Sequence, residues 1–158
     1  MVGPFLLGLT VAGLPTFKPP DGWTQTRPAQ SSTASRWNPV DSPWPRTWTK
    51  GTRNILVFSF LAKPIRNAGQ LETYIRSLET HVYGSELESI SVKATNACGG
   101  RAWVADWRTA ARLRPGIEEN SHFLYFEKAG EQLYLGYSYP AQVKPDSHVE
   151  DAMLAYCR

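Results

Sequence analysis

The chain has 158 residues, 42% of them hydrophobic and 20% charged, and a formal net charge of +3 at pH 7. This length is enough for one domain with a substantial hydrophobic core, which is possible without metals or cofactors. The small net charge does not favour a nucleic-acid partner, and 12 prolines and 6 tryptophans argue against a helical bundle.

The first 16 residues are mostly apolar. Their run from Phe5 to Leu14 is shorter than the roughly 20 residues that a membrane-spanning helix needs, but it matches the core of a signal peptide. No basic residue precedes the run, although signal peptides normally have one. Two interpretations stay open: a signal-peptide remnant that ends between Ala12 and Thr16, or an apolar arm packed on a single domain of residues 17–158.

The segment from Lys18 to Gly51 is rich in proline, tryptophan and small polar residues, which predicts irregular structure. Short edge strands or a hairpin are expected around Gly22–Thr26 and Ser35–Trp37. The first 66 residues also carry eight Lys/Arg and only two Asp. This basic surface is either solvated, with its arginines packed on aromatic rings, or it meets an acidic partner or a membrane surface.

The same segment contains the candidate ligand site. Exposed tryptophan faces can stack on a sugar ring, and arginines can pair with an anionic group. A small anionic or sugar-like ligand is therefore expected between this segment and the sheet, and an unknown protein is the alternative partner. The candidate ligand-binding residues are Trp37, Trp44, Trp48, Arg36 and Arg46.

One helix is predicted in the middle of the chain. Apolar residues recur at helical spacing from Leu71 to Val82, with Asn67 as the N-cap and Gly84 just beyond the C-terminus. Glu79 is among the polar residues expected on the solvent side of this helix.

The predicted strands surround this helix in the sequence. Arg53–Leu61 is a β-branched and aromatic run that predicts a central strand, and Leu87–Thr95 alternates as a half-buried strand does. Ala94–Trp107 is predicted to form a β-hairpin, and Thr109–Ser121 is predicted to be a polar connection. Two further strands from His122 to Pro140 form another hairpin.

The chain closes with a predicted helix in which Ser147 and Glu150 form a capping box. The order of elements predicts an α+β fold: an antiparallel sheet covered by two helices on one side, with an irregular Pro/Trp-rich N-terminal segment.

Two cysteines occur in the chain, Cys98 at a turn between strands and Cys157 in the last turn of the final helix. An even number of cysteines together with a signal-like start favours a disulfide between them and an oxidising compartment. The sequence thus predicts an exported protein, whether periplasmic, extracellular or lumenal.

An alternative makes Cys98 a nucleophile, with His122 or His148 as base and Asp106 as the residue that orients it. Glu118 and Glu119 could instead act as a carboxylate pair. No spacing typical of a metal site, a phosphate-binding loop or an RNA-binding motif is present, so no metal, cofactor or nucleic acid is expected.

The chain resembles the PsbP-like family of small exported or lumenal α+β domains. The stretches that carry the resemblance, between Gly22 and Cys157, are "DGWTQ", "SRWNP", "NILVFSF", "LETYIRSLETHV", "FLYFEKAGEQLYLGYSY" and the short closing helix. The resemblance implies a non-catalytic accessory or binding role outside the cytoplasm. No functional residue of the family matches a position here, and the cysteine pair is not a feature we associate with it.

The sequence therefore predicts a non-catalytic, exported accessory or binding domain. The alternatives are a cysteine- or carboxylate-dependent hydrolase and a purely structural protein-interaction domain.

Overall fold

The computed structural model describes residues 14–26, 45–61, 63–111 and 117–158. Its strands form one seven-stranded sheet in the order β1-β2-β3-β7-β6-β5-β4, in which all neighbours are antiparallel. The α+β prediction is confirmed. The elements are β1 Thr24–Thr26, β2 Arg46–Lys50, β3 Asn54–Phe60, α1 Ala68–Ser77, β4 Ser85–Thr95, β5 Ala102–Ala111, β6 Glu118–Lys128, β7 Glu131–Pro140 and α2 Ser147–Cys157.

The two helices pack on opposite faces of the sheet. Successive strand residues point to opposite faces, and here both faces carry apolar side chains. On one face, hereafter the α2 face, Val149 and Met153 of α2 join a cluster that includes Leu56, Phe58, Leu124, Phe126, Leu133 and Leu135. On the other, the α1 face, Leu71 and Ile75 of α1 join Trp103, Ala105, Trp107 and Tyr125. The expectation that both helices lie on one side is wrong, because β5, β6 and β7 need a cover on each face.

Helix α1 begins where the sequence predicts. The Asn67 side chain accepts a hydrogen bond from the backbone N–H of Gln70 at 2.9 Å, as an N-cap does. The helix ends in a π-helical turn, Leu78–Val82, before Gly84 takes a positive φ of 63°. A π turn carries more residues than an α turn, so the side chains after Ser77 leave the positions that a regular helix would give them.

The predicted polar connection at Thr109–Ser121 is strand at both of its described ends. Strand β5 continues to Ala111, and β6 already begins at Glu118. Arg108 holds these strand ends together through ion pairs with Glu88 of β4 and Glu118 of β6. Cross-strand ion pairs stabilise these strand ends. Because charged residues do not produce an apolar pattern, the sequence did not identify these ends as strand.

The N-terminal part of the sheet is only partly as predicted. Strand β1 lies where an edge strand was expected, but its partner is β2, with Thr24 opposite Thr49, and β2 was not predicted. Ser35–Trp37 lies outside the described residues. The N-cap of α2 is Asp146, whose carboxylate accepts the backbone N–H of His148 at 2.9 Å, and not Ser147.

On the α1 face, the absence of a side chain at Gly136 leaves space for an aromatic ring. Gly136 of β7 lies opposite Phe123 of β6, and a Cβ at Gly136 would overlap the Phe123 ring. The space lets Phe123 lie flat between neighbouring rings, with its centroid 4.7 Å from that of Trp107 and 5.9 Å from that of Tyr134. Gly136 is therefore required for packing.

Candidate functional site

The Cys98–Cys157 disulfide fastens the end of α2 to the turn between β4 and β5. The two Cα atoms are 4.9 Å apart and the bridge spans 59 residues of sequence. Cys98 is 7% exposed and Cys157 3% exposed. Arg158 Nε adds a hydrogen bond of 3.2 Å to the Ala97 carbonyl. The predicted disulfide is confirmed, and it is buried at both ends.

The N-terminal segment is held by the same end of α2. Tyr156 donates its hydroxyl hydrogen to the Pro15 carbonyl at 2.7 Å. Two residues further on, Phe17 is buried among Trp48, Phe58 and Tyr156, whose ring centroids lie 5.4, 6.4 and 5.7 Å from its own. The described residues around Pro15 and Phe17 therefore pack on the α2 face of the sheet, next to helix α2.

Trp48 belongs to this packing. It is 5% exposed, and its position in β2 directs the side chain into the α2 cluster. Arg46, two residues earlier in the strand, is half-buried, and its charge acts on the Tyr156 hydroxyl. The other candidate ligand-binding residues, Trp37, Trp44 and Arg36, lie outside the described residues.

A polar groove lies where the proline-rich segment meets the start of α2. Its volume is about 540 Å³, and it is lined by Pro19, Pro20, Asp21, Lys50, Asp146 and His148. Three parts of the chain build it: the segment before β1, the last residue of β2, and the first turn of α2 with its cap.

Gly22 lies beside the Lys50 side chain at the groove. Gly22 has a φ of 93°, and a Cβ there would lie 3.4 Å from the Lys50 side chain. The positive φ also favours glycine at the turn that follows the two prolines. Lys50 thus packs along the backbone of this turn.

Two aromatic residues lie behind the groove. The Tyr137 hydroxyl accepts the Asp146 backbone N–H at 3.3 Å, and burial raises the pKa of this phenol. Trp23 packs edge-on against Tyr137, with the centroids 6.0 Å apart. Its buried indole N–H has no hydrogen-bond partner among the described residues.

A histidine–aspartate pair lies next to Tyr137 on the α2 face. Cross-strand register places Asp106 of β5 opposite His122 of β6, and His122 opposite Tyr137 of β7. His122 Nδ1 lies 2.6 Å from Asp106 Oδ1. Burial alone would lower the pKa of His122, but the hydrogen bond and charge of Asp106, with the charge of Glu150, raise it above its ordinary value.

These positions bear on the two catalytic arrangements that the sequence offered, one built on Cys98 and one on Glu118 and Glu119. Asp106 does orient His122, as the nucleophile hypothesis required, but the Cys98 sulfur is bonded to Cys157 and cannot attack a substrate. Glu118 and Glu119 are adjacent in β6 and therefore point to opposite faces of the sheet. Glu118 pairs with Arg108, and Glu119 with Arg53, so they form no carboxylate pair.

Glu79 is a buried carboxylate that the sequence did not predict. Glu79 was expected on the solvent side of its helix, but it lies in the π turn and is 9% exposed. Trp107 donates its indole N–H to Glu79 Oε1 at 3.0 Å. Burial raises the pKa of Glu79, although hydrogen bonds from Trp107 and Ser85 act in the opposite direction. No signal in the sequence marks the π turn that brings this residue inward.

Among the described residues, no three His, Cys, Asp or Glu side chains are grouped so that they could hold a metal ion. No helix within these residues has the length and apolar character needed to cross a bilayer. A scan against models of known protein families finds no match for this chain, and a search of curated proteins finds no significant relative.

Proposed function

We propose that this protein is an exported, non-catalytic binding domain that takes a small sugar-like ligand with an anionic group in the groove between the proline-rich segment and α2. The observation that carries the proposal is the composition of the groove. It combines the Lys50 ammonium and the His148 ring with the carboxylates of Asp21 and Asp146.

The groove supplies both kinds of hydrogen-bonding partner that a hydroxylated ligand needs. Carboxylates accept hydrogen bonds from hydroxyl groups, and an ammonium donates to hydroxyl or carboxylate oxygens. Pro19 and Pro20 add apolar surface against which a sugar ring can lie. Lys50 is the natural partner of an acidic substituent. A sugar acid would offer hydroxyl groups to these carboxylates and its own carboxylate to Lys50.

The disulfide supports the exported location. Disulfides persist in secreted, periplasmic and lumenal proteins and are rare in the cytosol. This one is buried at both sulfurs, and its closing of a long loop stabilises the fold. The resemblance to the PsbP-like family points to the same kind of role, that of an accessory domain outside the cytoplasm.

The location is tested by mass spectrometry, before and after reduction, of the protein isolated without reductant from the cytosolic and extracytoplasmic fractions of its host cells. We expect a gain of two hydrogen atoms per chain on reduction, and no reactive thiol in the native protein. A native protein whose two thiols both react with an alkylating reagent would contradict the exported location.

The ligand is tested by titrating isotope-labelled protein with glucuronate, with glucose and acetate as matched probes for the ring and the acid alone. We expect glucuronate to shift the amide resonances of Lys50 and of the first turn of α2, and each partial probe to bind more weakly. Lys50→Ala should remove the response without changing the melting temperature. Lys63→Ala, at another exposed lysine, is the control.

An equal response to glucuronate in Lys50→Ala and in the control would refute the groove as the binding site. Shifts confined to another surface would have the same meaning.

A further inference from the structure

Strand β4 forms one edge of the sheet. It is 11 residues long, from Ser85 to Thr95, and it pairs with β5 on one side. Among the described residues, no strand pairs with its other side. A strand at the edge of a sheet keeps a row of backbone N–H and C=O groups available for another strand. An edge of this length can therefore accept a strand from a second chain.

A β-bulge interrupts the first half of β4. The register with β5 shifts between Leu87 and Ser89, so Glu88 has no partner of its own on β5. Beyond the bulge, the strand pairs regularly with β5 from Ser89 to Thr95. Bulges bend an edge strand and discourage further pairing where they occur. The part of the edge that remains suited to pairing is therefore residues 89–95.

The two faces of this segment differ in chemistry. Lys93 lies opposite Val104, which packs against the α2 cluster, so Lys93 is on the α2 face. The apolar residues are on the α1 face, where Ile90 and Val92 are half-buried against the cluster around α1 and Ala94 is exposed. By alternation, the polar residues of the segment share the α2 face: Ser89, Ser91, Lys93 and Thr95.

Lys93 and Asp106 provide complementary charges near this edge. The Asp106 side chain on β5 is 56% exposed, and Ser91 lies opposite it on β4. Within the described ranges, Lys93 takes part in no ion pair. A lysine opposite Ser91 on a strand added beyond β4 would be two strand spacings from Asp106, about 10 Å. An extended lysine side chain can cross the small Ser91 and bring its ammonium to that carboxylate.

We propose that two copies of this chain pair through β4, antiparallel and with a two-fold axis at Val92, so that their sheets join into one. A two-fold contact of this kind uses the same surface of both copies. In this register, Ser91 of each copy lies opposite Lys93 of the other. Each Lys93 can then reach Asp106 of the other copy, and the apolar residues of the two α1 faces adjoin.

The same residues disfavour other registers. A shift by one residue would set the apolar side chains of one copy on the polar face of the other. An axis at Lys93 would place the two ammonium groups directly opposite each other, which is destabilising. An axis at Ser91 would pair Ala94 with Glu88, in the bulge. The axis at Val92 therefore matches both faces, avoids the bulge and separates the like charges.

The pairing does not depend on the proposed ligand. The groove includes Lys50 of β2, and β2 lies near the other edge of the sheet. The experiments on glucuronate binding and on pairing therefore have independent outcomes.

The test is the molecular mass of the full chain by small-angle X-ray scattering from about 50 µM to about 1 mM, with two charge-reversed variants. We expect the unaltered chain to move from monomer towards dimer over this range. Lys93→Glu or Asp106→Lys brings like charges together twice in each dimer, so either variant should self-associate at least about fivefold more weakly. Lys63→Glu, the same change at an exposed lysine elsewhere, is the control and should associate as the unaltered chain does.

A mixture of Lys93→Glu and Asp106→Lys distinguishes pairing between copies from an effect within one chain. At the mixed interface, the negative side chain introduced at position 93 meets the positive one introduced at position 106, and the original Lys93 meets the original Asp106. The mixture should therefore regain the association that each variant alone has lost.

Amide hydrogen exchange locates the contact. The protection of residues 89–95 should rise with the concentration of the unaltered chain, whereas that of β1, at the other edge of the sheet, should stay constant. The proposal is overturned if the unaltered chain remains monomeric over the whole concentration range, or if it associates equally well with Lys93→Glu in place. Concentration-dependent protection at β1 or at another surface, in place of residues 89–95, would also overturn it.

Discussion

Removal of the disulfide is the most direct test of how the fold is held together. In the variant Cys98→Ala/Cys157→Ala, the unfolded chain regains the freedom that closing a loop of 59 residues had removed. The loop-closure entropy for that length corresponds to about 4 kcal/mol at 25 °C. A whole domain has only about 5–15 kcal/mol of stability, so we expect the variant to be folded but marginal, with a melting temperature lower by roughly 10 °C or more.

The assay is urea unfolding followed by tryptophan fluorescence, on the oxidised protein, the reduced protein and the alanine variant. Reduced protein retains both sulfur atoms, so its loss of stability measures the cross-link alone. The alanine variant adds the cost of two small buried cavities, which we expect to be about 1 kcal/mol or more in total.

The loss of stability on reduction should also be concentrated in one part of the fold. The end of α2 holds the N-terminal segment through Tyr156 and Pro15, so hydrogen exchange in reduced protein should increase in α2 and around Phe17 before it increases in β6 and β7. A difference below about 1 kcal/mol between oxidised and reduced protein would refute this reasoning, because the loop-closure entropy would then not be the main effect of the bridge.

Two further predictions concern the α1 face. Gly136→Ala should lower the free energy of unfolding by about 1–3 kcal/mol in urea unfolding, because its methyl group displaces the Phe123 ring; Gly100→Ala, where a Cβ meets no atom within 4 Å, should cost far less, and equal costs would contradict the packing argument. Glu79→Gln should stabilise the protein at pH 7, because the raised pKa means that stability falls as the pH rises from the ordinary value of 4.5 through the pKa of the folded state. The amide can still accept the Trp107 hydrogen bond, so melting temperatures at pH 4 and pH 7 should differ less in this variant, and an unchanged difference would show that Glu79 carries no such penalty.

Structural features that depend on residues close together in the sequence could be predicted. The N-cap at Asn67 and the hairpin turn at Ala129-Gly130, where both residues have positive φ, depend on residues a few positions apart. The disulfide could be predicted because only one pairing of two cysteines exists. The strand at Arg53–Leu61 could be predicted from its run of β-branched and aromatic residues, and the strand at Leu87–Thr95 from the alternation of apolar and polar residues.

Features that depend on distant partners could not be predicted. Strand β2 is short and carries Arg46 and Lys50, so only its pairing with β1 and β3 identifies it. The groove joins residues near position 20, Lys50 and the start of α2, and no spacing in the sequence brings these together. His122 and Asp106 were named together as a base and its orienting group, but only the register of β5 and β6 shows that they meet.

The position of β3 in the sheet has a consequence for how the chain acquires its structure. Strands β4, β5 and β6 each pair with the next strand in sequence, whereas β3 pairs with β7, so that Ile55 lies opposite Ser138. Closing that single long-range seam costs far more chain entropy than closing any hairpin. We expect the meander of four strands to assemble early and the docking of β3 to set the refolding rate. Until β3 docks, the apolar edge of β7 is unpaired. At high protein concentration, another chain could then pair with it during refolding.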